Sequence, residues 1–287
     1  MPKTPGWDDV IGLWSHGRPE STMYVYRPVI AHFRNFIQNR PMQQVDLKLL
    51  QDYMDLFADQ LPSTVKRKLS TVKSLFRFAR RIGALERDPS EALQTPHVPD
   101  ELAAKILPRK DILLLIDAAE AGRDRVLAML LYTAGLRASE AAGLRWEDCR
   151  QRTSKDGQIS VLGKGNKRRS IRLTPEVWRE LMSIRPADAA AEDFVFLSDA
   201  GWKRPLNRTT ISNIVRDAAR KAGLEAKVSA HWMRHGHATH AMEAGAPLPL
   251  ISSTLGHTSL ATTSRYLHVN PEQSSTQYVS LSGANKT

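Results

Sequence analysis

Apolar side chains recur every three or four residues through most of this chain, and that period predicts helices. In the first third, Tyr26, Ile30, Phe33 and Ile37 form one face of a helix over Glu20–Arg40, ended by Pro41. Leu49, Leu50, Tyr53, Leu56 and Phe57 give an inward face to a second helix, from Asp46 to about Gln60. A third opens at Pro62-Ser63, with Ser63 as candidate N-cap. It buries Val65, Leu69, Val72, Phe76 and Ala79 and exits at Gly83. The first dozen residues hold two Pro and two Gly and predict a loose leader. Between Glu86 and Pro108 the period lapses and Pro89, Pro96, Pro99 and Pro108 intervene. That stretch reads as a linker with one short helix, so the boundary between two domains is set near Pro99, giving residues 1–98 and 99–287.

The second part mixes periods. Helices are expected at Lys110–Ala121, Asp124–Thr133, Ala138–Leu144, Thr209–Gly223 and Ser229–Ala244, and another follows the Thr174-Pro175-Glu176 cap. "QISVL" and "RRSIRL" flank "GKGNK" and predict a β-hairpin, and "FVFLS" is a further short strand candidate. The fold class expected is mainly α: an all-α N-terminal domain, then an α+β domain with a small antiparallel sheet.

At 287 residues the chain is long for one core, which agrees with two domains. Lys and Arg number 41 against 30 for Asp and Glu, a formal net charge of +11. Such an excess points to a polyanionic partner, nucleic acid before an anionic membrane surface. No long apolar run and no charged-then-apolar leader is present, so neither a transmembrane helix nor a signal peptide is expected, and the single cysteine fits a reducing cytoplasm as the expected location. The one cysteine, Cys149, has no intrachain disulfide partner and reads as a small packing residue. The charge is concentrated in the third helix. Lys66, Arg67, Lys68, Lys73, Arg77, Arg80 and Arg81 lie there without an acidic residue. A solvated face usually mixes signs, so a one-sign face suggests contact with phosphates.

Four stretches carry candidate chemistry. In "TAGLRASE", Gly135 can take a positive φ and leave Arg137 in the turn before a helix, with Glu140 placed to hold a neighbouring cation. In "LGKGNKRRS", Lys164 sits at a hairpin tip, followed by Lys167, Arg168 and Arg169 as DNA-facing cations; a solvent-facing basic turn is the plainer alternative. In "VSAHWMRHGHATH", Ser229 is a candidate N-cap, and His231 and Arg234 lie three apart in the first helical turns, where the dipole favours anions. The four histidines there invite a metal reading. Trp232 stands where the zincin motif needs Glu, and no acidic residue lies between His231 and His240, so no metal site is expected. His235, His237 and His240 read as packing or DNA-facing residues. In "LGHTSLATTSRYLHV", Gly256 ends a helix, His257 follows, and Tyr266 comes nine residues later. A tyrosine, with a pKa of about 10, becomes a nucleophile only beside a base or cations that stabilise its phenolate. Tyr278, in a Ser- and Gln-rich tail, lacks that company.

Taken in order, Arg137, Lys164, His231, Arg234, His257 and Tyr266 resemble the active site of the tyrosine recombinases, the phage-integrase family that includes Xer-type enzymes. The resemblance covers the whole second half, and the basic helical first half looks like that family's core-binding domain. It implies that Arg137 and Arg234 clamp the scissile phosphate with His257 as a third donor. Tyr266 would attack phosphorus to give a 3′-phosphotyrosine, His231 would take its proton, and Lys164 would protonate the departing 5′-oxygen. Glu140 would support the arginines. No metal, ATP or other cofactor is implied. The partners implied are double-stranded DNA at a specific core site and further copies of the chain, four on two duplexes, with or without a second recombinase, in the nucleoid. A short tail helix is expected at Pro271–Val279 after the Asn270 cap. Met233 departs from the Leu usual before the second Arg, a mild exchange of apolar residues. The leader looks too short for the arm-binding domain of some phage integrases. Two rivals are a type IB topoisomerase, which has related chemistry, and a non-catalytic DNA-binding protein of the same fold. All six positions being filled weighs against the second.

Overall fold

The computed structural model describes residues 5–99, 102–163, 167–199, 204–224, 228–256 and 263–264. The chain divides into two compact units, Met1–Asp100 and Glu101–Thr287. It is mainly helical with one three-stranded antiparallel sheet, as the periodicity predicts. No described helix is long and apolar enough to cross a membrane.

Among the described residues, the first unit holds four α-helices: α1 (Trp7–Ser15), α2 (Glu20–Phe36), α3 (Leu47–Asp55) and α4 (Pro62–Arg81). The leader expected to be loose is α1, because Trp7, Val10 and Trp14 share a face and are buried. Trp7 meets Phe33 and Phe76 edge-on, at 6.1 and 6.0 Å between ring centroids, and Trp14 stacks on Tyr26 at 5.3 Å. Burial of two indoles outweighs the Pro and Gly nearby. The helix α2 ends at Phe36, short of Arg40, where Gln38 and Asn39 turn to φ of 54° and 52°. Asp46 caps α3 by accepting from the Leu49 N–H at 2.8 Å, but the helix stops at Asp55 and leaves Leu56 exposed, not inward. The start of α4 is set by Pro62 in its first turn with Leu61 at the N-cap, so Ser63 is inside the helix and is not the cap. Its stripe of Val65, Leu69, Val72, Phe76 and Ala79 is buried as expected, and Gly83 leaves with φ 76°.

In the second unit come α5 (Arg109–Ala118), α6 (Arg123–Thr133), α7 (Ala138–Ala142), β1 (Cys149–Gln151), β2 (Gly157–Leu162) and β3 (Arg168–Leu173). They are followed by α8 (Pro175–Ser183), α9 (Arg208–Lys221), α10 (Ala230–Glu243) and α11 (Leu248–Leu255). The middle helix is α6, with Val126, Leu127, Ala128, Leu130 and Leu131 all buried; α5 and α10 pack on it. The hairpin forms as expected, with β2 and β3 paired from Gly157–Leu173 to Leu162–Arg168. The unforeseen third strand, β1, adds to the free edge of β2. At Gly157 a Cβ would lie 2.4 Å from the Trp178 ring, so glycine lets α8 lie flat on the sheet. "FVFLS" is not a strand. Phe194 and Leu197 make isolated bridges to Arg145 and Pro205, and the Val195 N–H and Phe196 carbonyl go to different segments, so no ladder forms. Thr174 caps α8 as read, accepting from the Val177 N–H at 3.4 Å.

Candidate active site

The site grows from one turn. α6 ends at Thr133, Gly135 takes φ 59°, and Arg137 becomes the residue that opens α7. One helical turn on, Glu140 folds back, its Oε2 accepting from the Arg137 N–H at 2.8 Å and its Oε1 from Arg137 Nη1 at 2.7 Å. Glu140 is buried, and more cations reach it from elsewhere. Arg169 of β3 donates Nη1 to Oε1 at 2.8 Å and Nη2 to Oε2 at 2.9 Å. Arg234 of α10 brings Nη1 to 3.9 Å from Oε2. Burial alone would push the Glu140 carboxyl up; the hydrogen bonds from Arg169 and the Arg137 N–H, with the nearby charges, outweigh it and hold the group below the usual carboxylate range. Three guanidinium groups thus share one carboxylate, which leaves the cluster cationic.

The same arginines close the end of α11. Arg234, only 2% exposed, donates Nη1 to the Gly135 carbonyl and Nη2 to that of Leu255, both at 2.6 Å. Arg137 Nη1 lies 3.5 Å from the Leu255 oxygen, and Arg169 Nε donates to the Thr254 carbonyl at 2.6 Å. These are carbonyls a helix C-terminus leaves without partners. Gly256 then takes the left-handed conformation, φ 64° and ψ 46°, and ends the helix as expected.

The other expected residues are placed as follows. His231, exposed in the first turn of α10, sets its ring edge-on to His235 at 4.1 Å. Ser229 stands at the N-cap of α10 without a side-chain capping bond. His235 is buried, and His240 Nδ1 lies 2.9 Å from the Tyr132 hydroxyl, so both pack inside the unit. Desolvation lowers the pKa of His237 and of His240. Among the described residues no three His, Cys, Asp or Glu side chains gather to hold a metal ion. Lys167 and Arg168 are exposed, Arg168 pairing with Asp148 at 3.2 Å. Arg169, expected beside them as a DNA-facing cation, is turned inward with its side chain 12% exposed. Its neighbours explain why: it shares a strand face with Ile171 and Leu173, both buried, while Arg168, Ser170 and Arg172 face out. That alternation was the available signal. Lys164, His257, Tyr266 and the tail at 271–279 lie outside the described residues. Cys149 opens β1 half-buried, its thiol pushed up to about 12 mainly by burial.

In the first unit, the seven cations of α4 do not behave alike. Lys66, Arg67, Arg77, Arg80 and Arg81 are exposed. Lys73 donates to the Leu93 carbonyl at 2.6 Å, Arg80 pairs with Glu91 at 3.1 Å, and Lys68 Nζ lies 3.6 Å from the Phe57 ring centroid. Desolvation, with the Arg67 charge, lowers the Lys68 pKa.

The phage integrase family model matches residues 105–273, and the model for the phage integrase N-terminal SAM-like domain matches residues 12–83. The chain belongs to the phage integrase family. Within it, the chain is a tyrosine recombinase of the Xer type, a site-specific recombinase. It is 31% identical over 278 residues to tyrosine recombinase XerD of Pseudomonas putida, covering 90% of each chain. It is 32% identical over 262 residues to tyrosine recombinase XerC of Pelobacter propionicus, covering 87% of this chain and 85% of that one. Among solved structures, a lambda integrase dimer bound to a COC′ core site has the same fold. Its TM-score is 0.74 at 18% identity, over 92% of this chain and 94% of that one. In this phage integrase family member, Arg137, Glu140, Arg169 and Arg234 are brought together by the second unit alone.

Proposed function

We propose that this recombinase cuts and rejoins duplex DNA at a specific core site by covalent attack of Tyr266, with Arg137 and Arg234 as the phosphate clamp. The observation that carries the reading is that both guanidinium groups reach one atom, the Leu255 carbonyl oxygen, from different elements. Two planar forks that meet at one atom within a cationic cluster suit the oxygens of a phosphodiester. Leu255, the residue on which both forks meet, directly precedes Gly256-His257 in the chain, which favours His257 as the third phosphate donor.

The step balances without a co-reactant. The Tyr266 oxygen forms a bond to phosphorus while the bond from phosphorus to the 5′-oxygen breaks. The phenol proton goes to His231, and Lys164 gives one to the 5′-oxygen, leaving a 3′-phosphotyrosine and a free 5′-hydroxyl. Attack by another 5′-hydroxyl on that phosphotyrosine is the same step reversed, so joining needs no ATP. The first unit serves as the core-binding domain, with the exposed cations of α4 and the hairpin residues Lys167 and Arg168 against the backbone. Strand exchange between two duplexes calls for four protomers, all alike or shared with a second recombinase, acting at the nucleoid in the cytoplasm. The segment after Asn270 docks on a neighbouring protomer; removing it should abolish cooperative assembly more than single-site binding, and survival of both untouched would refute that role.

The test is covalent trapping. Nicked suicide duplexes tiled across candidate DNA, incubated with the intact chain, should give a protease-sensitive adduct on denaturing gels at one sequence. Tyr266→Phe should bind that sequence without forming the adduct. A non-catalytic binder would form none. A topoisomerase would relax supercoiled plasmid equally well with and without the site.

A further inference from the structure

We infer that Arg169 is a positioning residue of this active site, tying Glu140, and through it Arg137 and Arg234, to the two chain segments that run into Lys164 and His257. The inference rests on the phosphate-clamp reading above. Arg169 uses its whole fork on its surroundings: Nη1 and Nη2 on the two Glu140 oxygens, Nε on the Thr254 carbonyl. Its guanidinium also fills the space between two glycines. A Cβ on Gly163 would lie 3.4 Å from Nη1, and one on Gly256 would lie 2.9 Å from the same atom. Gly163 directly precedes Lys164, and Gly256 directly precedes His257. One side chain therefore touches the chain immediately before both candidates while holding the carboxylate that orients the clamp.

Stability alone gives little reason for an arginine here. A buried ion pair is often no more stabilising than apolar side chains of the same volume, and Arg169 lies on a face shared with Ile171 and Leu173. Its planar fork instead fixes distances and angles. It also sets the charge balance. With both oxygens of Glu140 engaged by Arg169, the Arg137 guanidinium, 33% exposed, need not give its full fork to that carboxylate. Without Arg169, Glu140 would draw Arg137 inward and compete with the phosphate for it.

The experiment compares Arg169→Gln and Arg169→Lys with the intact chain on the nicked suicide duplex that traps it. Single-turnover adduct rate, affinity for the uncleaved duplex and the pH profile of the rate are measured. Arg169→Gln should slow adduct formation about 100-fold while affinity changes less than about threefold, the pattern of a misplaced reacting group. Among the described residues, the charged groups facing Glu140 are Arg137, Arg169 and Arg234. Removing one of them makes the carboxylate easier to protonate, so the acid limb of the rate should move to higher pH. Arg169→Lys should recover part of the rate. A folded Arg169→Gln with unchanged rate and acid limb overturns the inference, as does loss of rate that only follows loss of DNA affinity. If Arg169→Gln does not fold by circular dichroism, Arg169→Lys decides on the same two readouts: a folded Arg169→Lys with the wild-type rate and acid limb overturns the inference. Wild-type protein that forms no adduct refutes the clamp reading and this inference with it; a wild-type adduct with indifferent variants refutes this inference alone.

Discussion

Arg234 and Leu255 meet at 2.6 Å, guanidinium to carbonyl, across 21 residues of chain. The contact solves two problems at once. The last carbonyls of α11 need donors, and the negative end of the helix dipole favours cations. A guanidinium buried to 2% exposure needs acceptors that hold it in one orientation, and the Leu255 and Gly135 carbonyls supply them. The end of a helix is here the template on which the arginines are arranged.

Arg234→Lys keeps the charge but not the fork. A single ammonium lacks the planar pair of nitrogens that reaches the Gly135 and Leu255 carbonyls together, so one of them is left without a partner. An unsatisfied carbonyl of this kind costs about 1–3 kcal/mol, read as a lower midpoint in urea unfolding of the full chain. Covalent adduct formation should fall further than stability does, because the phosphate fork is removed as well. An Arg234→Lys protein with wild-type adduct rate would contradict the clamp role.

Glu140 carries a pH signature. Its pKa is lowered in the folded chain, so the unfolded state binds more protons as pH falls through the ordinary carboxylate value of 4.5. The stability it contributes is fully present above that value and is lost as pH falls towards its folded pKa. Unfolding free energy measured from neutral to acid pH should therefore decline steeply on the acid side. Glu140→Gln should flatten that decline. At neutral pH the variant should be less stable by about 3–5 kcal/mol, since three arginines lose their shared counter-charge. A variant with the same acid decline as wild type would show that other carboxylates dominate.

Gly135→Ala tests the turn from which the site grows. The position has φ 59°, and an added Cβ would sit 2.6 Å from Leu255 Cδ2 and 2.9 Å from His237 Cδ2. Left-handed strain and overpacking together cost about 2–4 kcal/mol, visible in thermal unfolding. Because Leu255 carries the carbonyl shared by Arg137 and Arg234, its displacement should also slow adduct formation in the folded fraction.

The features legible in the sequence are those written locally. The 3.6-residue period marks the buried stripe of α4, the hairpin strands alternate, and Gly135 and Gly256 take the left-handed backbone that their places between helices require. What escaped is either short or distant. Trp7, Val10 and Trp14 have helical spacing, but prolines and glycines around them obscure it. The three-residue strand β1 is too brief to alternate. Arg169 was hidden by the basic run Lys167-Arg168-Arg169, which reads as surface unless the strand period is carried through it. Its partner Glu140 lies 29 residues away, and Arg234 meets the Gly135 carbonyl across 99. No local pattern encodes contacts of that span.

The cations of α4 should separate by environment when DNA binding is measured against salt. Removing one cation that neutralises a phosphate reduces the slope of log affinity on log salt by about 1. Lys66 and Arg77 are exposed and lie on the side of α4 away from its buried stripe. Lys66→Gln and Arg77→Gln should each weaken binding across sequences and lower that slope by about 1. Lys68 is held over the Phe57 ring, half-buried, and is easier to deprotonate than an ordinary lysine. Its ammonium would have to leave an aromatic face to reach a phosphate, so Lys68→Gln should leave the slope nearly unchanged and instead lower the melting temperature of the first unit. Equal slopes for all three variants would mean that net charge, and not the orientation of α4, governs the interaction with DNA.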